Sequence, residues 1–151
     1  MHEGMRVFIA FLAATVLMAV AGTIAQTQFV LGALEAAGAT VSFADRLAMT
    51  AADLIGFAPL YAVIVALGFL LAFALAALLL RRASLPRIPV FALAGAACIA
   101  LMLVLMREVF FGIPLIAGAR TAAGVLAQIA CGATAGLVFA ILSRRERPVL
   151  R

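Results

Sequence analysis

The sequence predicts an all-α integral membrane protein: a bundle of four transmembrane helices with short interfacial helices on its periplasmic side. Of its 151 residues, 68% are hydrophobic and 11% are charged, whereas a soluble domain has about 45–50% apolar and about 25% charged residues. The mean hydropathy is +1.31. Four apolar runs are each long enough to cross about 30 Å of hydrocarbon. A water-soluble fold of this size could not bury so much apolar surface, so lipid is the expected solvent.

The first apolar run, about residues 7–25, follows Arg6 and predicts the first transmembrane helix. Its basic start, its apolar stretch and the small residues at 19–21 also resemble a secretory signal peptide with its cleavage site. The apolar stretch continues past that site through Gly22 to Ala25. We therefore expect a retained helix.

The second run, residues 57–80, contains no charged residue and ends at two arginines. The connection that follows contains Pro86 and Pro89, which suit the end of one helix and the first turn of the next. The third run covers about residues 88–111. Gly112 and Pro114 follow it and predict its stop.

The fourth run covers about residues 119–142 and is followed by a basic tail, residues 143–151. With four spans, eight of the eleven basic residues fall on the side that holds both termini and three fall on the other side. Positive charge concentrates on the cytoplasmic side of membrane proteins. Both termini are therefore predicted to be cytoplasmic. Basic residues that are all Arg, together with abundant Ala, suggest a bacterial chain and hence the inner membrane.

The segment 26–56 is too long and too apolar for a structureless loop. Gly38 is a predicted helix stop, and Ser42 followed by Asp45 resembles a helix start, although a capping box prefers Glu or Gln at the second position. We expect two short helices at the periplasmic interface. Alternatively, the first helix continues to about Ala37 as one long rod.

Small residues recur every four positions along the fourth run, where they form one stripe that also contains Gln128. Such stripes let helix backbones approach closely in lipid, where apolar contact alone gives little association. The stripe predicts helix packing within one chain, or a homo-oligomer or larger partner docked on the same surface. Its members are Gly124, Gln128, Gly132, Gly136 and Ala140.

Polar groups near the predicted periplasmic ends define the candidate site. Arg107 and Glu108 close the third run, Arg120 opens the fourth, and Asp53 precedes the second. Arg107 and Glu108 are adjacent in sequence and point about 100° apart on a helix, so each needs another partner. We expect Glu108 to pair with Arg120, and Arg107 to pair with Asp53 or a lipid phosphate. They are either interfacial charges that fix helix depth or a pocket for an anionic headgroup, a small anion or a charged loop of a partner.

At the opposite end of the runs, a second set of basic residues is predicted to contact anionic lipid headgroups. The set consists of Arg81, Arg82 and Arg87. Arginines at the ends of apolar runs are typical of topology determinants rather than of a nucleic-acid-binding stripe, so no nucleic acid is expected.

The inventory of reactive groups is too small for a catalytic, cofactor or metal site, and none is predicted. His2 is the one histidine, Cys98 and Cys131 lie within apolar runs, and no carboxylate lies in the middle of a predicted span. Ion-coupled carriers usually keep an ionisable residue at that depth. Of the polar residues at depth, Gln128 is the one that needs a partner.

Three functional hypotheses follow. The first is a non-catalytic inner-membrane interaction protein, either an accessory or assembly subunit of a larger complex or a self-associating bundle. The second is a small oligomeric transporter or channel, lined by Gln128 and Thr134, with the Arg/Glu cluster at its mouth. It predicts that Gln128 faces a water-filled cavity or a symmetry axis, whereas the first predicts a hydrogen-bonded Gln128 in a dry interior. The third is a lipid-modifying enzyme, which requires Glu108 or Asp53 as a buried carboxyl.

Overall fold

The computed structural model describes residues 3–109 and 116–144 of the chain. In this part the chain is all-helical, and it has no strand. The helices are α1 (Glu3–Ala36), α2 (Phe43–Gly56), α3 (Ala58–Arg82), α4 (Arg87–Val109) and α5 (Ala122–Leu142), with a 3₁₀ turn at Ala117–Arg120. Four of them, all except α2, are long and apolar enough to cross a membrane.

Helix α1 is longer than the predicted span of about 7–25, so the expectation of two short helices in 26–56 is wrong. One short helix, α2, is present, and the alternative of a long first helix describes the chain better. The polar side chains of Thr27 and Gln28 do not end the helix, because they form hydrogen bonds to Asp53 and Thr50 of α2. The helix ends at Ala36, and Gly38 lies in the turn that follows, where its φ of 94° is in the left-handed region that favours glycine.

Helix α2 begins where the sequence predicts, at Ser42. The Ser42 hydroxyl accepts a hydrogen bond from the Asp45 backbone N–H at 3.2 Å. In return, Asp45 Oδ2 accepts hydrogen bonds from the Ser42 backbone N–H at 2.9 Å and from its hydroxyl at 2.6 Å. Asp therefore closes a capping box at a position where Glu is more usual. The hydrogen bonds from the Ser42 hydroxyl and backbone hold the pKa of Asp45 below its usual value.

The remaining predicted spans agree with α3, α4 and α5 to within a few residues. Helix α3 starts with a proline in its first turn, and α5 starts at Thr121, whose hydroxyl accepts a hydrogen bond from the Gly124 N–H at 3.1 Å. The predicted stop at Gly112 and Pro114 lies outside the described residues, as does the tail beyond Arg144.

The four long helices share one buried apolar core. Its centre is a group of phenylalanine rings: Phe73 stacks on Phe139 with centroids 4.5 Å apart, and Phe91 meets both rings edge-on at 5.7 and 4.9 Å. One end of the core brings together the start of α1 and the end of α5, where the Arg6 guanidinium donates to the Arg144 carbonyl. We call this the Arg-rich end.

Candidate functional site

Gln128 joins three helices through its side-chain amide. Its Nε2 donates to the Gly22 carbonyl of α1 at 2.8 Å, and its Oε1 accepts from the Tyr61 hydroxyl of α3 at 3.0 Å. Gln128 and Tyr61 are each 1% exposed. The absence of a side chain at Gly22 makes room for this contact, because a Cβ there would lie 2.9 Å from Gln128 Oε1. The amide is therefore satisfied inside the protein, away from water.

The glycines of the predicted stripe bring α5 into backbone contact with its neighbours. A Cβ on Gly136 would overlap the Phe91 carbonyl of α4, and a Cβ on Gly132 would meet the Gly95 carbonyl. Gly124 lies against the Gly118 carbonyl of the 3₁₀ turn. These residues and Ala140 are buried. Within this chain the stripe is thus occupied by packing against α4 and the preceding turn.

Helix α2 lies antiparallel to the last three turns of α1, joined by polar contacts. Asp53 Oδ2 accepts a hydrogen bond from the Thr27 hydroxyl at 2.6 Å. The Arg46 guanidinium donates to Gln28 at 2.9 Å and forms an ion pair with Glu35 at 2.6 Å. Pairs 27–53 and 35–46 require the two helices to run in opposite directions. The end of α1 and α2 therefore form a helical hairpin.

Polar residues of α2 contact α1, and three of its large apolar residues are exposed. Arg46 and Asp53 are seven positions apart and share the side that contacts α1, since seven positions make nearly two turns. Phe43 is 75% exposed, Leu47 57% and Ile55 79%. No residue of α2 is fully buried. We call Phe43, Leu47 and Ile55 the hairpin face.

The four residues of the predicted Arg/Glu cluster do not have equivalent surroundings in the structure. Arg107, Glu108 and Arg120 are exposed, whereas Asp53 is half-buried against Thr27. Among residues 3–109 and 116–144, the ion pair between Arg46 and Glu35 is the one within 4 Å. The expected pairings of Glu108 with Arg120 and of Arg107 with Asp53 are thus not formed there. Whether these residues bind an anion stays a prediction.

The three arginines predicted to contact lipid do not have equivalent surroundings. Arg81 and Arg82 end α3 with exposed side chains. The Arg87 guanidinium instead donates to the Ser143 hydroxyl at 2.7 Å and lies 4.9 Å from the centre of the Phe91 ring. Arg87 therefore ties α4 to the end of α5, and Arg81 and Arg82 are the two that point away from the core.

An apolar groove of about 1000 Å³ runs along the outer side of α3 and α4. Sequence reasoning missed it, because it depends on how far apart two helices stand. The hairpin face was missed for a similar reason, because it depends on which residues of α2 the first helix covers: the Thr50 hydroxyl accepts a hydrogen bond from Gln28 of α1 at 3.2 Å, whereas Phe43 and Leu47 are exposed. The polar spacing of Arg46, Thr50 and Asp53 was the available signal.

No family model, no curated protein and no solved structure matches this chain.

Proposed function

We propose that this chain is an inner-membrane protein of bacterial type that crosses the bilayer four times, with both termini in the cytoplasm. Four helices of sufficient length and apolarity support the spans. The contact between Arg6 and Arg144 supports placing both termini on one side, and the excess of arginine at that end favours the cytoplasm. The length of the other connections, residues 83–86 and 37–57, agrees with helices that alternate in direction.

Within that membrane, we propose that the protein acts without catalysis as an interaction protein, an accessory or assembly subunit of a larger complex or a self-associating bundle. The hairpin face is the observation that carries this proposal. From Arg6 to Ala36, α1 is about 45 Å long. Even at a tilt of about 40° its last turn lies beyond a hydrocarbon layer of about 30 Å.

Beyond the hydrocarbon layer, an apolar surface that no protein partner covers contacts water or lipid headgroups. Phe43 lies near the top of the hairpin, because Arg46 of the same helix turn contacts Glu35 at the end of α1. Clustered exposed apolar residues at such a position mark a protein interaction surface. A second helix laid along the hairpin face would remove Phe43 and Leu47 from water or headgroups and would continue down to Ile55, which lies level with about residue 25 of α1.

The surroundings of Gln128, Thr134, Glu108 and Asp53 give less support to the two alternatives, a transporter or channel and a lipid-modifying enzyme. Gln128 is 1% exposed and fully bonded, whereas Thr134 is exposed on another side of α5 and donates to its own helix at Ala130. The two side chains do not line one path. For an enzyme, Glu108 or Asp53 would have to be a buried carboxyl, but Glu108 is exposed and Asp53 half-buried.

The test is native mass spectrometry of the protein extracted from its own membranes into lipid nanodiscs, compared between matched variants. Leu47→Glu places a charge on the hairpin face, and Ala52→Glu places the same charge on another exposed side of α2. We expect a complex of defined stoichiometry that Leu47→Glu dissociates and Ala52→Glu retains. A strictly monomeric wild-type chain, or equal behaviour of the two variants, would contradict the proposal.

A further inference from the structure

The groove between α3 and α4 arises from two opposite packing effects. Close contact between Gly95 of α4 and Gly132 of α5 draws α4 towards α5. On the inner side of α3, Phe69 and Phe73 stack with centroids 4.7 Å apart, and Phe73 also packs on α5 and α4. These rings keep α3 at a distance from α4. The two helices therefore leave a concave surface on their outer side.

The groove has small residues along its floor and large aliphatic residues along its walls. Gly68 contacts the Cys98 sulfur across the floor, since a Cβ on Gly68 would lie 2.8 Å from it. The floor continues through Ala72 and Ala94, and the walls include Leu75 and Leu93. Almost every atom that lines the groove is apolar. A hydrocarbon chain matches this surface, whereas a polar ligand would lose its hydrogen bonds to water.

The groove ends beside two unpaired positive charges. Its lining on α3 extends from Ile64 to Leu79, about 22 Å along the helix. Arg82 lies eighteen residues after Ile64, which is five full turns, so it continues the same side of the helix. Among the described residues, neither Arg81 nor Arg82 forms an ion pair. An occupant with a long apolar chain and an anionic head fits both features at once.

We propose that this groove binds an anionic phospholipid, with an acyl chain between α3 and α4, the phosphate at Arg82, and Arg81 as a second positive charge beside it. This proposal needs α3 and α4 to cross the membrane, but it does not depend on the interaction function. One leaflet is about 15 Å thick. The acyl chain would therefore fill the half of the groove nearest the Arg-rich end, from Leu79 to about Ala72.

The experiment measures retained lipid by native mass spectrometry after transfer from mixed phosphatidylglycerol and phosphatidylcholine nanodiscs into detergent. We expect the wild-type chain to retain phosphatidylglycerol selectively. The double variant Arg81→Gln/Arg82→Gln should bind it about 30-fold more weakly, the factor that two arginines near an anionic surface supply. Arg81→Lys/Arg82→Lys, which keeps both charges, should retain most of the binding.

Groove-filling variants test the acyl-chain part separately. Ala72→Phe and Ala94→Phe place a ring in the groove from either helix, and Leu70→Phe places one on the exposed surface of α3 outside it. We expect the first two to lose the lipid and the third to keep it, with helix content checked by circular dichroism. If both groove variants fail to fold, a phosphatidylglycerol with a diazirine in its acyl chain should label α3 and α4 of the wild type. Equal retention in all three variants, labelling elsewhere, or no preference for the anionic lipid would overturn the proposal.

Discussion

The hydrogen bonds of Gln128 provide a quantitative test of how the helices are held together. The variant Gln128→Leu has nearly the same volume and removes both interhelical bonds, whereas Tyr61→Phe removes one and keeps the ring, which stacks on Phe57 at 5.2 Å. An interhelical hydrogen bond in a membrane contributes about 0.6 kcal/mol on average and up to about 1.7 kcal/mol. The two bonds here are 2.8 and 3.0 Å long and buried. We therefore expect a loss of about 1–3 kcal/mol for Gln128→Leu and about 1 kcal/mol for Tyr61→Phe.

The assay is reversible unfolding in mixed micelles with rising sodium dodecyl sulfate, run on the two single variants and on the double variant. Because the side chains of Gln128 and Tyr61 bond to each other, their effects should not add, and we expect a coupling free energy of about 1 kcal/mol. Thr134→Ala is the control, since its hydroxyl is exposed and bonds within α5. A coupling of about zero, or a Gln128→Leu variant more stable than the wild type, would refute the described hydrogen-bond network.

Three further results are expected. The variant Gly95→Val should lower the free energy of unfolding by about 2–3 kcal/mol in the same assay, because its side chain would overlap the backbone of α5. The control is Gly32→Val, which should lower the free energy of unfolding much less, because no atom lies within 4 Å of the added Cβ. The pKa of Asp45 is lowered on folding. Its contribution to stability is therefore complete above its unfolded pKa and is lost as the pH falls through its folded pKa. In hydrogen exchange corrected for intrinsic rates, the backbone amides of 43–56 should lose protection on acidification, and less so in Ser42→Ala. Charge reversal by Arg120→Glu, made in the Arg81→Gln/Arg82→Gln background so that lipid bound at the groove does not contribute, should abolish retention of any remaining anionic lipid or partner without unfolding the protein. Full retention of that remaining lipid or partner in native mass spectrometry would show that the predicted polar pocket does not exist.

Local signals in the sequence were sufficient to predict most helix boundaries. The serine at 42 and the aspartate three residues later close a capping box, and Gly38 follows the end of α1 in a left-handed conformation. Both depend on a few neighbouring residues, whose hydrogen bonds the sequence order alone brings together. The apolar runs likewise report the long helices, because hydropathy over about 20 residues reflects the surrounding solvent rather than a particular partner.

The length of α1 could not be read from the same signals. Polar residues begin at Gln26 and suggested the end of a membrane span, yet the helix continues to Ala36. Thr27 and Gln28 are accommodated because Asp53 and Thr50 lie opposite them on α2. These partners are more than twenty positions away in sequence, so pattern alone does not reveal that they meet.

Some features of the candidate sites could likewise be predicted from the sequence, and others could not. The sequence by itself determined that Gln128 needs a partner and that the glycines of α5 permit close approach, since both follow from the chemistry of single residues in lipid. Only the tertiary structure decided that the partners are Tyr61 and Gly22, that α2 leaves three large apolar residues exposed, and that a groove lies between α3 and α4. These features depend on distances and rotations between helices, which arise when side chains from separate segments pack together and which no short stretch of sequence records.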